Sequence, residues 1–155
     1  MKKTQKEKGA AQLYLEQIEK QEVQIDRKRD KAERLYCLAT KSTAGMNAGG
    51  ASGGGNCDKM GNAADGHMDL LKEIEKDEAD LKALISDTYD LMAKLRREHY
   101  DVLRLRYMHY MTFDDIAREM NYSSRGIRSL HGRALQVFGK VLEERHETTL
   151  QRKRV

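Results

Sequence analysis

Apolar residues recur three, four or seven positions apart over most of this chain, and no proline interrupts them. That periodicity belongs to helices with one buried face, whereas half-buried strands would alternate at every second residue. The 155 residues allow one ordinary domain, or a small domain with a helical extension. Aromatics supply only 6% of the chain and charged residues 35%, so the apolar stock is aliphatic and suits helices better than sheets. Apolar runs are far shorter than the roughly 20 residues a membrane helix needs. The basic start from Met1 to Lys8 is followed by no signal pattern. The expectation is an all-α, cytoplasmic protein with no membrane partner, its two cysteines, Cys37 and Cys57, free thiols in a reducing compartment.

Five segments follow from the pattern. In residues 1–44, Ala11, Ile18, Ile25, Ala32 and Ala39 lie seven apart, with Tyr14 and Leu35 on a second track that is polar at Gln21 and Lys28. This is an amphipathic helix with a weak heptad seam. Residues 45–66 are glycine-dense and aperiodic, which predicts a flexible linker. Residues 67–97 place Leu71, Ile74, Glu78, Leu81, Ile85, Thr88, Met92 and Leu95 on one helical stripe. Two helices of similar length around a loop fold most simply into an antiparallel hairpin; pairing between two copies, giving a homodimer through the long helices, is the rival arrangement. Residues 98–144 hold three short helical patterns, and 145–155 lose periodicity and read as a basic, frayed tail.

Charge divides along the same lines, with a net −4 over residues 58–98 and +4 over 99–155. Within residues 121–140 the charged side chains are Arg125, Arg128, Arg133 and Lys140, with no acid among them. Such a stretch suits an anionic partner. The local pattern sharpens this. Thr112 to Asp115 is a capping-box-like start before Ile116, the helix should end near Asn121, and Ser123 should cap the next one. Helices joined so tightly must cross steeply, as in a helix-turn-helix. With Ile127, Leu130, Ala134 and Val137 turned inward, Ser124, Arg125, Arg128, Ser129 and Arg133 fall on or beside the outward face. Arginine can bind the O6 and N7 of guanine in the major groove, and serine or arginine can hold phosphates.

Residues 100–138, YDVLRLRYMHYMTFDDIAREMNYSSRGIRSLHGRALQVF, resemble region 4 of sigma-70 family factors, the part that reads the promoter −35 element. The resemblance rests on the LRLRY helix, the TFDDIAREM support helix, the S-x-x-x-I-R core of the reading helix and the R-A-L after it. It implies base and phosphate contacts at Ser124, Arg125, Arg128, Ser129 and Arg133, double-stranded DNA as partner, and RNA polymerase as a candidate second partner. The family commonly carries Arg-Glu-Arg where this chain has Ser124, Arg125 and Gly126, so the family's base preference does not carry over. The layout also resembles phage and prophage transcriptional regulators of the RinA and ArpU type, which implies a part in switching on phage genes. With no Trp, and Phe only at 113 and 138, a complete sigma factor with its strand-melting region is not expected.

Other chemistry finds less support. The run GGASGGG leads into Asn56 and Cys57, without the Gly-Lys-Ser/Thr of a phosphate loop. His67, His99, His109, His131 and His146 have no paired metal-ligand spacing with the cysteines. Asp114 and Asp115 suit a helix start better than a catalytic pair. No catalytic residue, metal or cofactor is expected. The expected protein is a sequence-specific transcriptional regulator: a long helical hairpin with a flexible glycine-rich loop, then a sigma-region-4-like helix-turn-helix. A DNA-packaging recognition subunit of small-terminase type and a polymerase-docking module are the alternatives.

Overall fold

A computed structural model describes residues 9–44 and 56–153. Every regular element among them is helical: α1 (Ala10–Ala44), α2 (Asn56–Met92), α3 (Arg97–Tyr107), α4 (Phe113–Met120) and α5 (Ser124–Lys153). The chain divides into two compact units that cut across the five segments read from the sequence. One comprises Met1–Lys20 with Ala83–Val155, the other Gln21–Lys82.

In the second unit α1 and α2 pair within the chain. Ile25, Ala32, Leu70 and Ile74 are buried together, with Leu35 and Leu81 packed against them. The polar interruptions of the seam are used as crosslinks: Lys28 Nζ lies 2.6 Å from Asp77 and 3.1 Å from Glu73, and Arg29 donates to Glu78 at 2.6 Å. Further along α1, His67 Nδ1 sits 2.9 Å from the Ala32 carbonyl oxygen. Ascending positions on α1 therefore face descending positions on α2, which is the antiparallel hairpin. The heptad positions Ile25 and Ala32 are buried as expected, but Leu70 takes the inward place assigned to Leu71, which is 42% exposed.

Two segment readings are corrected. Asn56–Gly66, expected as linker, is the first part of α2; the remainder of that linker, 45–55, lies outside the described residues. The tail expected to fray from Arg145 is helical to Lys153. Leu, Glu, Arg, Gln and Lys are strong helix formers, and Arg145 is anchored by an ion pair of 2.7 Å to Asp87 on α2. Thr148 and Thr149 return their hydroxyls to the carbonyls four residues back, so neither draws the backbone out of the helix.

The first unit carries the larger core. Ala11 and Leu15 of α1, Leu91 and Met92 of α2, and the inner faces of α3, α4 and α5 bury one continuous cluster. On α5 the buried series is Ile127, Leu130, Ala134, Phe138 and Val141, so the inward stripe continues through Phe138 while Val137 is 37% exposed. The Phe138 ring is wholly buried, its centroid 6.0 Å from that of Tyr14. Thr88, the one polar residue among the fully buried side chains of the described residues, donates its hydroxyl to the Leu84 carbonyl at 2.7 Å and leaves nothing unsatisfied there.

Candidate nucleic-acid interface

Short-range chemistry sets the corner between α4 and α5. Thr112 caps α4, its hydroxyl oxygen accepting from the Asp115 amide at 3.2 Å and its proton going to the Asp115 carboxylate at 2.7 Å. Such a cap contributes about 1 kcal/mol. α4 ends because Asn121 adopts a left-handed backbone, φ 58° and ψ 43°. The amide of Tyr122 then donates to the Ala117 carbonyl and that of Asn121 to Arg118, closing a Schellman motif. One residue later Ser123 caps α5, its hydroxyl accepting from the Gly126 amide at 3.0 Å. A β-carbon at Gly126 would stand 3.0 Å from that hydroxyl, which gives this glycine a local reason. At Gly132 a β-carbon would meet open space, so packing within the chain does not call for glycine there.

Ile116, Ala117, Ile127, Leu130 and Ala134 are all buried in the wedge between α4, α5 and α3. Arg125, Arg128, Ser129 and Arg133 of α5 are exposed, and Ser124 is half-buried. They share one side of a helix whose other side is clamped. Ser124 differs from the rest because its hydroxyl proton is donated to Asp114 at 2.6 Å. That bond ties the start of α4 to the start of α5, and it also corrects the picture of an acid-free face: α5 supplies no acid here, but α4 brings a carboxylate to its first turn.

Phe113, Arg106, Tyr107 and His131 form a cluster beside the first turns of α5, and none carried a sequence signal for this place. The Arg106 guanidinium lies 4.8 Å and that of Arg128 5.5 Å from the centroid of the Phe113 ring. His131 meets the same ring edge-on at 5.0 Å, and its Nε2 is 3.0 Å from the Tyr107 hydroxyl. Arg106 also donates to the Met111 carbonyl at 2.8 Å, which holds the turn after α3. A side-chain to backbone contact of this kind depends on where α3 ends, and spacing alone does not reveal it.

Burial, with a smaller contribution from Arg106, lowers the His131 pKa to about 4, and burial first raises that of Tyr107 to about 12. His131 is therefore neutral at pH 7. The unfolded chain takes up this proton near pH 6.5 and the fold only near 4, so stability is full above 6.5 and falls as the pH drops towards 4. The expected loss is about 1–2 kcal/mol, less than the full shift would give because the ring is partly open to solvent. An NMR titration of the His131 imidazole checks this, with a midpoint near 4 expected; a midpoint near the ordinary value would overturn it.

A short support helix, a tight left-handed corner and a cationic second helix define a helix-turn-helix. Residues 91–137 match the family Sigma-70, region 4, and this segment is a DNA-binding helix-turn-helix of that kind. No curated protein and no solved structure matches the chain. Among the described residues no group of histidine, cysteine and acidic side chains could hold a metal ion. Nor is any helix there long and apolar enough to cross a membrane.

Proposed function

We propose that the protein is a sequence-specific transcriptional regulator of phage or prophage type, reading duplex DNA with α5. The observation that carries this is the set of exposed guanidinium groups on one side of a helix whose opposite side is fixed in the core. In this reading Arg125 and Arg128 approach base edges in the major groove. Ser129 and Arg133 hold phosphates, and Ser124 fixes the α4–α5 corner through Asp114. The phage assignment rests on the layout of long helices, glycine-rich insert and terminal reading domain. RNA polymerase is the second partner that the likeness to region 4 supports.

Selection of bound fragments from random duplex DNA tests the proposal. A recovered motif supports it, and a palindromic one would report two reading heads, as in a dimer joined through the long helices. Fragments recovered without a shared motif would overturn sequence reading. Mobility-shift titrations over salt add a second measure, because each neutralised phosphate releases counterions. Arg133→Ala should weaken all duplexes alike and reduce the magnitude of the salt slope by about 1. An unchanged slope would remove Arg133 from the phosphate contacts.

A further inference from the structure

Several arginines among the described residues are held by acids: Arg29 by Asp26 and Glu78, Arg118 by Asp115, and Arg145 by Asp87. Arg106 and Arg128 are held differently. Both guanidinium groups lie over Phe113, and among the described residues neither has a carboxylate within ion-pair distance. The distinction has an electrostatic consequence. An acid that fixes an arginine also cancels its field, whereas the face of an aromatic ring attracts the cation through its quadrupole and leaves the net charge in place. Two like charges beside one ring repel each other, and an anion in front of them would relieve that repulsion.

Phe113 is itself fixed. It is the first residue of α4, directly behind the Thr112 cap, and His131, tethered to Tyr107, stands edge-on to its ring. Phe113 thus belongs to the support helix but touches a side chain of the reading helix. We infer that Phe113 is a positioning residue that pre-orders the Arg128 guanidinium for base contact, so that the support helix contributes to sequence discrimination without touching DNA. Less side-chain entropy then remains to be lost when the complex forms. The inference rests on the DNA-reading proposal and adds to it a named residue outside the reading helix.

The test is a double-mutant cycle in the full-length protein. Phe113→Leu, Arg128→Ala and their combination are titrated by fluorescence anisotropy against the duplex recovered by selection and against a random-sequence duplex pool. Phe113→Leu should weaken the selected duplex by about three- to tenfold while changing binding to the pool by less than about twofold. On the Arg128→Ala background it should cost almost nothing further. Phe113→Tyr keeps the ring and should restore discrimination. Far-UV dichroism and the melting midpoint identify any variant that loses its fold, and the tyrosine variant keeps the test open in that event. Additive losses from Phe113→Leu and Arg128→Ala, or no recovery with tyrosine, would overturn the positioning role while leaving DNA reading intact. Absence of duplex binding by the wild-type protein would overturn both.

Discussion

Phe138→Ala should destabilise the unit built from Met1–Lys20 and Ala83–Val155 by about 3–5 kcal/mol, the cost usual for deleting a fully buried ring. The ring is completely covered, and its neighbours come from several elements: Tyr14 faces it at 6.0 Å, and it belongs to one buried cluster with Leu15, Met92 and Leu103. Collapse around the cavity would require α1, α2 and α3 to move together, so little relaxation is available. Amide exchange at Val102 and Ile127, both fully buried, reports the opening of this core. Exchange there should quicken about a hundredfold or more if opening is limited by the stability of the unit. Val137→Ala, on the neighbouring and partly exposed position, is the control and should cost under about 1 kcal/mol. Equal losses at 137 and 138 would contradict the stripe described for α5.

The second large effect concerns recognition. Arg125→Ala should leave stability within about 0.5 kcal/mol of the parent, because the side chain is exposed and no ion pair of it is found among the described residues. It should nevertheless remove roughly 1–3 kcal/mol of discrimination at one base position, the value of a good bidentate arginine–guanine contact. Arg125 stands in the first turn of α5, where the corner at Asn121 and the cap at Ser123 fix the direction of the helix. Arg125→Lys separates charge from geometry, since lysine keeps the cation but lacks the planar fork. Affinity for random-sequence duplex should survive in the lysine variant while preference at that position falls. A selection experiment on Arg125→Ala that returns the parent motif unchanged would remove this residue from the reading face.

Much of this was legible in the sequence because it depends on neighbours along the chain. The Thr112 start, the Asn121 stop and the Ser123 restart are capping chemistry confined to a few residues, and the structure places all three as read. The inward set Ile127, Leu130 and Ala134 follows from a period of 3.6 anchored at that restart. The same period cannot choose between adjacent apolar residues, since both lie within about 100° of the expected direction. Leu71 was expected inward and Leu70 is; Val137 was expected inward and Phe138 is. In each case the facing helix decides: Ile25 and Ala32 in the first, and α1 with Tyr14 in the second.

The glycine-rich boundary and the carboxy-terminal tail show the opposite error. Composition argued against order at residues 56–66 and the loss of apolar periodicity argued against it at 145–153, yet both are helical. Gly66 packs its backbone 3.7 Å, measured to where a β-carbon would be, from Leu35 of α1, and Arg145 is held by Asp87. Tertiary contact can supply what local propensity lacks, and no window of sequence contains the partner.

The sequence by itself determined the helical class, the corner between α4 and α5 and the cationic outer side of α5, because these depend on backbone chemistry and periodicity over a few turns. Only the tertiary structure decided that Phe113 lies under Arg106 and Arg128, that Asp114 reaches Ser124, and that α1 and the end of α2 close the core of the unit that holds the helix-turn-helix. Those contacts join residues on different helices, and their formation depends on crossing angles set by the packing of the whole unit.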